Sequence, residues 1–342
     1  MLRGMRHAWR VIPAPPHDPR RQHMAEPTLN VTVIGGGLIG ASWVALFLAH
    51  GHHVCVHDVA PDVADRVRAE LHRIQPMMAQ LGMPISPHAP TLTFEADLGR
   101  SVEKADVVQE CGPERLAFKQ SLWARVEAHC KADALLLSSS SGITASMQSR
   151  KMKTPQRMLV GHPFNPPHLI PLVEVVPGCK TSQTAVTRAR DFYLSLGKQA
   201  VVLNKEIPGF VANRIQAAVI RESVSLVKQG VVSVEDLDVA VQSSLGLRWA
   251  TGGPFLSAHL GGGAGGIRAF WRQFAGGLQL LWLHMRLRPV LLTTRTQADL
   301  ADEVLKRYGG QSIDQLASLR DQQQIALLQT LQAPHTNENT LP

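Results

Sequence analysis

The sequence predicts an α/β protein in which a doubly wound, mainly parallel sheet is followed by a smaller all-helical domain. Three observations carry that prediction. Glycines 35, 37 and 40 stand between a β-rich run and a segment with helical apolar spacing. Strand-like runs then alternate with helical or turn-rich segments as far as Val202, the order expected of a mainly parallel sheet. After Val202 no clear strand pattern returns.

Taken in order, Asn30 to Ile34 reads as the first strand, Leu38 to His50 as a helix and His53 to Asp58 as the second strand. Ala105 to Gln109, Ala134 to Ser138, Met158 to His162 and Leu172 to Val176 read as further strands, and Leu116 to Cys130 as a helical stretch between them. Asn213 to Gln229 is a predicted helix, and another follows the capping box of Ser233 and Asp236. The boundary falls near Pro208, giving domains at 28–206 and 207–330 with tails at 1–27 and 331–342. The glycine-rich stretch Gly261 to Gly266 follows no strand, so it reads as a loop between helices rather than a phosphate cradle.

At 342 residues and 44% apolar, the chain is long enough for two domains with packed cores. Its net charge of +8 raises the question of nucleic acid. The basic residues, however, are scattered without interleaved aromatics, which favours an anionic small-molecule substrate and no nucleic-acid partner. Cys55, Cys111, Cys130 and Cys179 form no CxxC pair, consistent with reduced thiols in a cytoplasmic chain and with no zinc site. His53 and His57 would lie roughly 13 Å apart along a strand, too far to share a metal. Leu278 to Leu292 is interrupted by His284, Arg286 and Arg288 and is too short to span a bilayer, so no membrane segment is expected. The first 27 residues lack the apolar core of a secretory signal. A disordered basic tail, a presequence and a true start at Met24 all remain open for them.

The glycines have mechanical reasons. Gly35 permits a tight turn, Gly37 lets a pyrophosphate approach the backbone, and Gly40 allows close helix-to-strand packing. Leu38 and Ile39 lie between them on the first helical turn, where free N–H groups face an anion. Asp58 closes the second strand, placed to bind ribose hydroxyls and to repel a 2′-phosphate. The reading is a Rossmann domain that binds NAD rather than NADP; no other flavin-associated motif accompanies the glycines.

The segment GHPFNPPHLIPLVEVVPG puts His162 at a strand end and Glu174 inside the next strand, with an Asn-Pro turn between. If the chain reverses there, the carboxylate holds one imidazole nitrogen and the other is free to act as a base. At these residues the sequence resembles the 3-hydroxyacyl-CoA dehydrogenase family, in particular the branch that contains lambda-crystallin (L-gulonate 3-dehydrogenase) and L-carnitine dehydrogenase. The resemblance spans roughly residues 30 to 275 and continues more weakly to about 330. It implies a catalytic pair of His162 and Glu174, and a serine at Ser141 in the run Ser138 to Gly142. Through PGFVANR, Pro208 to Arg214, it implies a substrate-site asparagine at Asn213, and through QECGPERLAFK it implies nicotinamide-side residues Glu114 and Lys119. NAD as cofactor and a homodimer follow from the same likeness. Asn213 also fits a helix cap, and Ser141 a plain strand end.

Substrate class is less determined, since the family includes acyl-CoA thioesters and free acids. Residues 59 to 103 contain no lysine to meet CoA phosphates, although Arg66, Arg68, Arg73 and Arg100 remain. Arg248, in GLRWATGGPF, suits a bidentate carboxylate clamp or an ordinary surface ion pair. Trp249, Phe255, Phe270 and Trp271 are available for a quaternary ammonium box or for packing. Two rival readings stand beside the dehydrogenase: a crystallin-like NAD-binding structural protein, and a lysine-dependent β-hydroxyacid dehydrogenase using Lys205.

Overall fold

A computed structural model describes residues 27–86 and 91–332. The N-terminal part consists of β1 (Asn30–Ile34), α1 (Leu38–Ala49), β2 (His53–His57), α2 (Val63–Gln80), β3 (Leu92–Phe94), α3 (Leu98–Val102), β4 (Val107–Glu110) and α4 (Leu116–Glu127). It continues through β5 (Leu135–Ser138), α5 (Ala145–Gln148), β6 (Met158–Pro163), β7 (Leu172–Pro177), α6 (Gln183–Ser195) and β8 (Gln199–Val202). The described remainder is helical: α7 (Ala212–Lys228), α8 (Val234–Ala240), α9 (Leu247–Thr251), α10 (Pro254–Gly261), α11 (Gly266–Leu287), α12 (Thr294–Tyr308) and α13 (Ile313–Gln332).

The strands form one sheet in the order β3-β2-β1-β4-β5-β6-β7-β8. Every pairing is parallel except β6 with β7. That exception follows from chain length, because the turn between β6 and β7 is too short for a parallel crossover. β1 carries alternating Val residues into the core against α1, and its Thr32 faces the other side and donates to Ser101 O at 2.6 Å. Helix α1, LIGASWVALFLA, has no polar face and is buried from Gly40 to Leu48. A helix apolar all round needs cover on every side. Here α2 and α6 supply much of it, with Trp43 stacked on Phe47 at 5.5 Å and tilted against Tyr193 at 5.6 Å.

The six expected strands form, as do the expected helices at α1, α4 and α7. Ser233 caps α8 by accepting from Asp236 N at 3.0 Å. Gly261 to Gly266 joins α10 to α11 through a tight turn. Two strands lie outside the sequence expectation. β3 is only three residues long, too short to show a period, and β8 is an edge strand whose apolar run, Ala200 to Leu203, is no longer than a turn of helix and has Val201 and Val202 exposed. Residues 331 and 332, expected in a tail, belong to α13, which continues to Gln332. The expectations for residues 1–26 and 333–342 fall outside the described residues.

Helix α13 returns to the first domain and docks on α2. Gln329 Nε2 donates to Gln80 O at 2.8 Å, and Asp321, 2% exposed, lies 3.9 Å from Arg73 while accepting the fork of Arg320.

Candidate active site

The glycine turn and the end of β2 are built as one unit. Gly35 sits at φ 101°, and a Cβ there would stand 2.8 Å from Cys111 O. A Cβ on Gly40 would stand 1.8 Å from Gly35 O, so the helix can press on its own turn only without a side chain. Gly37 differs: a Cβ would meet nothing within 4 Å, which leaves open space on the side where a ligand approaches. Gly37 is also the N-cap of α1, with no side-chain cap and no acidic residue in the first turn. The N–H groups of that turn are therefore available to an anion.

Asp58 Oδ2 accepts from Gly36 N at 2.7 Å, and its Oδ1 accepts from Ala60 N at 3.0 Å. A carboxylate has lone pairs beyond these two, which suits it to ribose hydroxyls while it holds the turn. Leu38 is exposed and Ile39 half-buried beside it. Together these features fit a dinucleotide. Gly36, which the sequence reading passed over, is equally constrained, since a Cβ would stand 2.3 Å from Val63 of α2.

At the ends of β4 and β5 a buried ionic network supports the serine run. Lys119, 1% exposed, donates to both oxygens of Glu110 at 2.7 and 2.8 Å, with Glu114 further off at 3.4 Å. Glu110 also accepts from Ser138 Oγ at 2.6 Å and from Gly112 N at 2.7 Å. Lys119 therefore pairs first with Glu110, a residue hidden from sequence reading inside the strand VVQE. Glu114 accepts from Ser140 Oγ at 2.5 Å, Gly142 N at 3.1 Å and Ile143 N at 3.3 Å. Burial alone would raise the Glu114 carboxyl. The Ser140 hydrogen bond, the Lys119 charge and the two backbone donors outweigh burial and hold it below the usual carboxylate range.

β6 and β7 pair His162 directly with Glu174. His162, 3% exposed, presents Nδ1 to Glu174 Oε2 at 2.8 Å. The other oxygen of Glu174 accepts from Val211 N at 2.8 Å and Ala212 N at 3.0 Å, so the carboxylate also anchors the first turn of α7. Burial opposes its ionisation, but the bonds from His162, Ala212 and Val211 prevail and lower its pKa. Phe164 and Phe210 flank the imidazole, with ring centroids 5.1 and 5.4 Å away. Phe210 is brought there by a left-handed turn, φ 74° at Gly209 and 49° at Phe210. For a residue with a bulky side chain that backbone is costly and is held by its surroundings.

Asn213 lies inside the first turn of α7 rather than capping it, and its Nδ2 donates to Ser141 O at 3.3 Å. The structure thus links Ser141, Asn213, Glu174 and His162 through adjacent contacts, with Ser141 joined by its carbonyl and its side chain exposed. Arg248 stands on α9 with its side chain exposed, and no hydrogen bond or ion pair described among these residues joins it to the group. Lys205 is likewise exposed, and no hydrogen bond or ion pair among the described residues joins it to the pair. Trp249 and Phe255 are exposed, while Phe270, Trp271 and Phe274 cluster on α11.

A dinucleotide cradle beside a buried His–Glu pair, at the junction of a Rossmann sheet and a helical domain, defines an NAD-dependent dehydrogenase. The family model of the 3-hydroxyacyl-CoA dehydrogenase NAD-binding domain matches residues 30–207, and that of the C-terminal domain matches residues 209–309. The chain belongs to the 3-hydroxyacyl-CoA dehydrogenase family. It is 38% identical over 307 residues to L-carnitine dehydrogenase of Nocardiopsis dassonvillei, covering 90% of this chain and 93% of that one. It is 41% identical over 243 residues to a 3-hydroxyacyl-CoA dehydrogenase of Gibberella moniliformis, covering 71% and 75%. Among solved structures it resembles 5-formyl-3-hydroxy-2-methylpyridine 4-carboxylic acid 5-dehydrogenase, an NAD+-dependent dismutase, with TM-score 0.71 and 27% identity over 90% of this chain and 99% of the other. The 3-hydroxyacyl-CoA dehydrogenase of Archaeoglobus fulgidus matches with TM-score 0.56 and 28% identity, covering 72% and 81%.

Proposed function

We propose that this NAD-dependent hydroxy-acid dehydrogenase oxidises the 3-hydroxyl of a small free acid, with L-carnitine the first candidate, and that His162 is its general base. The observation that carries the mechanism is the His162–Glu174 contact at 2.8 Å. With its carboxylate ionised, Glu174 makes Nδ1 the protonated nitrogen, and Nε2 keeps the lone pair that accepts the hydroxyl proton. Bound NAD supplies a hydride acceptor. Glu174 stabilises the imidazolium that forms, and Asn213 and Ser141 line the substrate side of the same group. Glu114 faces the cofactor, with Lys119 and Glu110 fixing the serine run behind it. Arg248 belongs to the substrate wall as a carboxylate partner.

Two observations favour a free acid over a CoA thioester. The arginines of α2 that would meet CoA phosphates are already engaged: Arg66 with Asp62 at 3.3 Å, Arg68 over Phe94 at 5.0 Å, and Arg73 with Glu70 at 2.8 Å and Asp321 at 3.9 Å. The L-carnitine dehydrogenase relative also aligns over more of this chain than the acyl-CoA relative does.

The assembly is proposed as a homodimer formed by the helical domain. Helix α11 runs 22 residues with only Gly266 buried, and it exposes Trp271, Phe274, Leu280, Leu281 and Trp282. So much apolar area marks a protein interface, and a second copy is the cover. Among the described residues no helix is long and apolar enough to cross a membrane. The four cysteines are free, which supports a cytoplasmic site of action.

The test is NAD reduction with L-carnitine, L-gulonate, L-3-hydroxybutyrate and L-3-hydroxybutyryl-CoA, with His162→Ala as control. Turnover of a free acid, abolished in the control, is expected. Turnover of the thioester alone would overturn the substrate reading and leave the base intact.

A further inference from the structure

The turn that separates His162 from Glu174 has to keep one shape for the pair to meet, and two buried side chains from outside it make contacts that do this. Lys198, 5% exposed, lies between α6 and β8. Its Nζ donates to Pro167 O, and to Ile170 O at 3.1 Å. Ser42, 1% exposed on α1, accepts from His168 N at 2.8 Å and bonds His168 Nδ1 at 2.8 Å. Backbone amides at Leu169 and Ile170 turn back on Pro166 O, each at 3.0 Å, so the four outside contacts act on an already compact loop.

The choice of lysine at 198 calls for a reason. Among the described residues no carboxylate pairs with its Nζ, and the Trp43 ring lies 5.9 Å away. Burial pushes its pKa down to about 7, which means the fold carries a desolvation cost that an apolar residue would not impose. What the amine provides is two hydrogen bonds to carbonyls of the turn that no backbone group reaches.

We infer that Lys198 and Ser42 are positioning residues that clamp the turn between His162 and Glu174, so that the catalytic pair is held in register with the cofactor helix α1. Lys198 fixes the turn from the β8 side. Ser42 fixes it to the helix whose N-terminus forms the dinucleotide cradle, which ties the base to the cofactor across separate elements. This deepens the catalytic reading of His162, and it rests on that reading only for its kinetic consequence.

The experiment compares wild type, Lys198→Met and Ser42→Ala as full-length proteins by three measurements. These are exchange of the His162 Nδ1 proton by NMR, NAD affinity by protein fluorescence, and kcat. Methionine keeps the length of the lysine stem and removes the buried charge, so Lys198→Met is expected to stay folded. The His162 proton should exchange about tenfold faster, as for loss of one or two hydrogen bonds. kcat should fall about ten- to a hundred-fold with NAD affinity within about twofold, because a misplacement of the order of an ångström carries that kinetic cost. Ser42→Ala should move the same readouts in the same direction, and it carries the test if Lys198→Met does not fold. Unchanged proton exchange in the folded variants would overturn the clamp. The NMR measurement needs no substrate, so absence of turnover in wild type would count against the substrate reading and not against this one.

Discussion

Replacing Glu174 by Gln isolates the tautomer argument, because the two side chains have nearly the same shape. In the wild type one carboxylate oxygen receives two backbone N–H groups, from Val211 at 2.8 Å and Ala212 at 3.0 Å, and the other faces His162 Nδ1 at 2.8 Å. A glutamine has one oxygen and one NH2. Turning the NH2 toward α7 would set donors against two donors in a buried site. The oxygen must therefore stay with the backbone, and the NH2 must face the imidazole. Nδ1 then has to accept, the ring proton moves to Nε2, and the nitrogen aimed at substrate becomes a donor. The loss should be on the order of 10² to 10⁴ in kcat, the range for removing a placed general base. A triad aspartate changed to asparagine loses activity for the same tautomeric reason. NAD affinity should stay within about twofold, since Glu174 touches no part of the glycine turn. The assay is kcat from NAD reduction, alongside NAD titration by fluorescence and a melting curve. A folded Glu174→Gln enzyme with kcat within about tenfold of wild type would refute the assignment of His162 as base.

Further outcomes follow from other parts of the fold. Asp58→Ala removes the acceptor of Gly36 N and Ala60 N together with the charge that repels a 2′-phosphate, so NAD should bind about tenfold more weakly while discrimination against NADP collapses; titration with both nucleotides reads this. Trp282→Glu, on the exposed face of α11, should convert the proposed dimer to monomer in light scattering, and a dimer that persists would place the interface elsewhere. Glu174 has a folded pKa below its unfolded value. Its contribution to stability is therefore complete above the unfolded carboxylate range and is lost as pH falls through the folded value, so acid unfolding should lose one proton-linked step in Glu174→Gln. Lys198 shifts in the same direction but in a higher pH window, and burial of the charged amine rather than hydrogen bonding is the cause: its folded pKa of about 7 lies below its unfolded value near 10. Between these values the unfolded chain binds more protons and wild-type stability rises with pH. Relative to Lys198→Met, wild type should accordingly gain stability as pH goes from about 7 to about 10.

The sequence by itself determined the layers of the first domain and brought His162 and Glu174 together, while the reaction class rested on its resemblance to a family. A glycine turn, a strand–helix alternation and an Asn-Pro reversal are local patterns, and local patterns are set by steric and hydrogen-bonding rules that act over a few residues. That is why β1, α1, β2 and the His162–Glu174 pairing could be read before any contact was known. Edge strands β3 and β8 were not read, because a three-residue strand is too short to show a period and a four-residue apolar run does not by itself distinguish strand from helix. That Lys119 is buried against Glu110, with Glu114 at 3.4 Å, was not legible, since separation along the chain does not say which carboxylate shares the buried side of β4. Gly36 against Val63, Asp321 against Arg73, and Lys198 on the carbonyls of Pro167 and Ile170 are likewise pairings between distant segments. They depend on how the sheet twists and on which helices cover it. Burial then fixes which polar groups must find each other, because an unpaired one in the interior is too costly to leave.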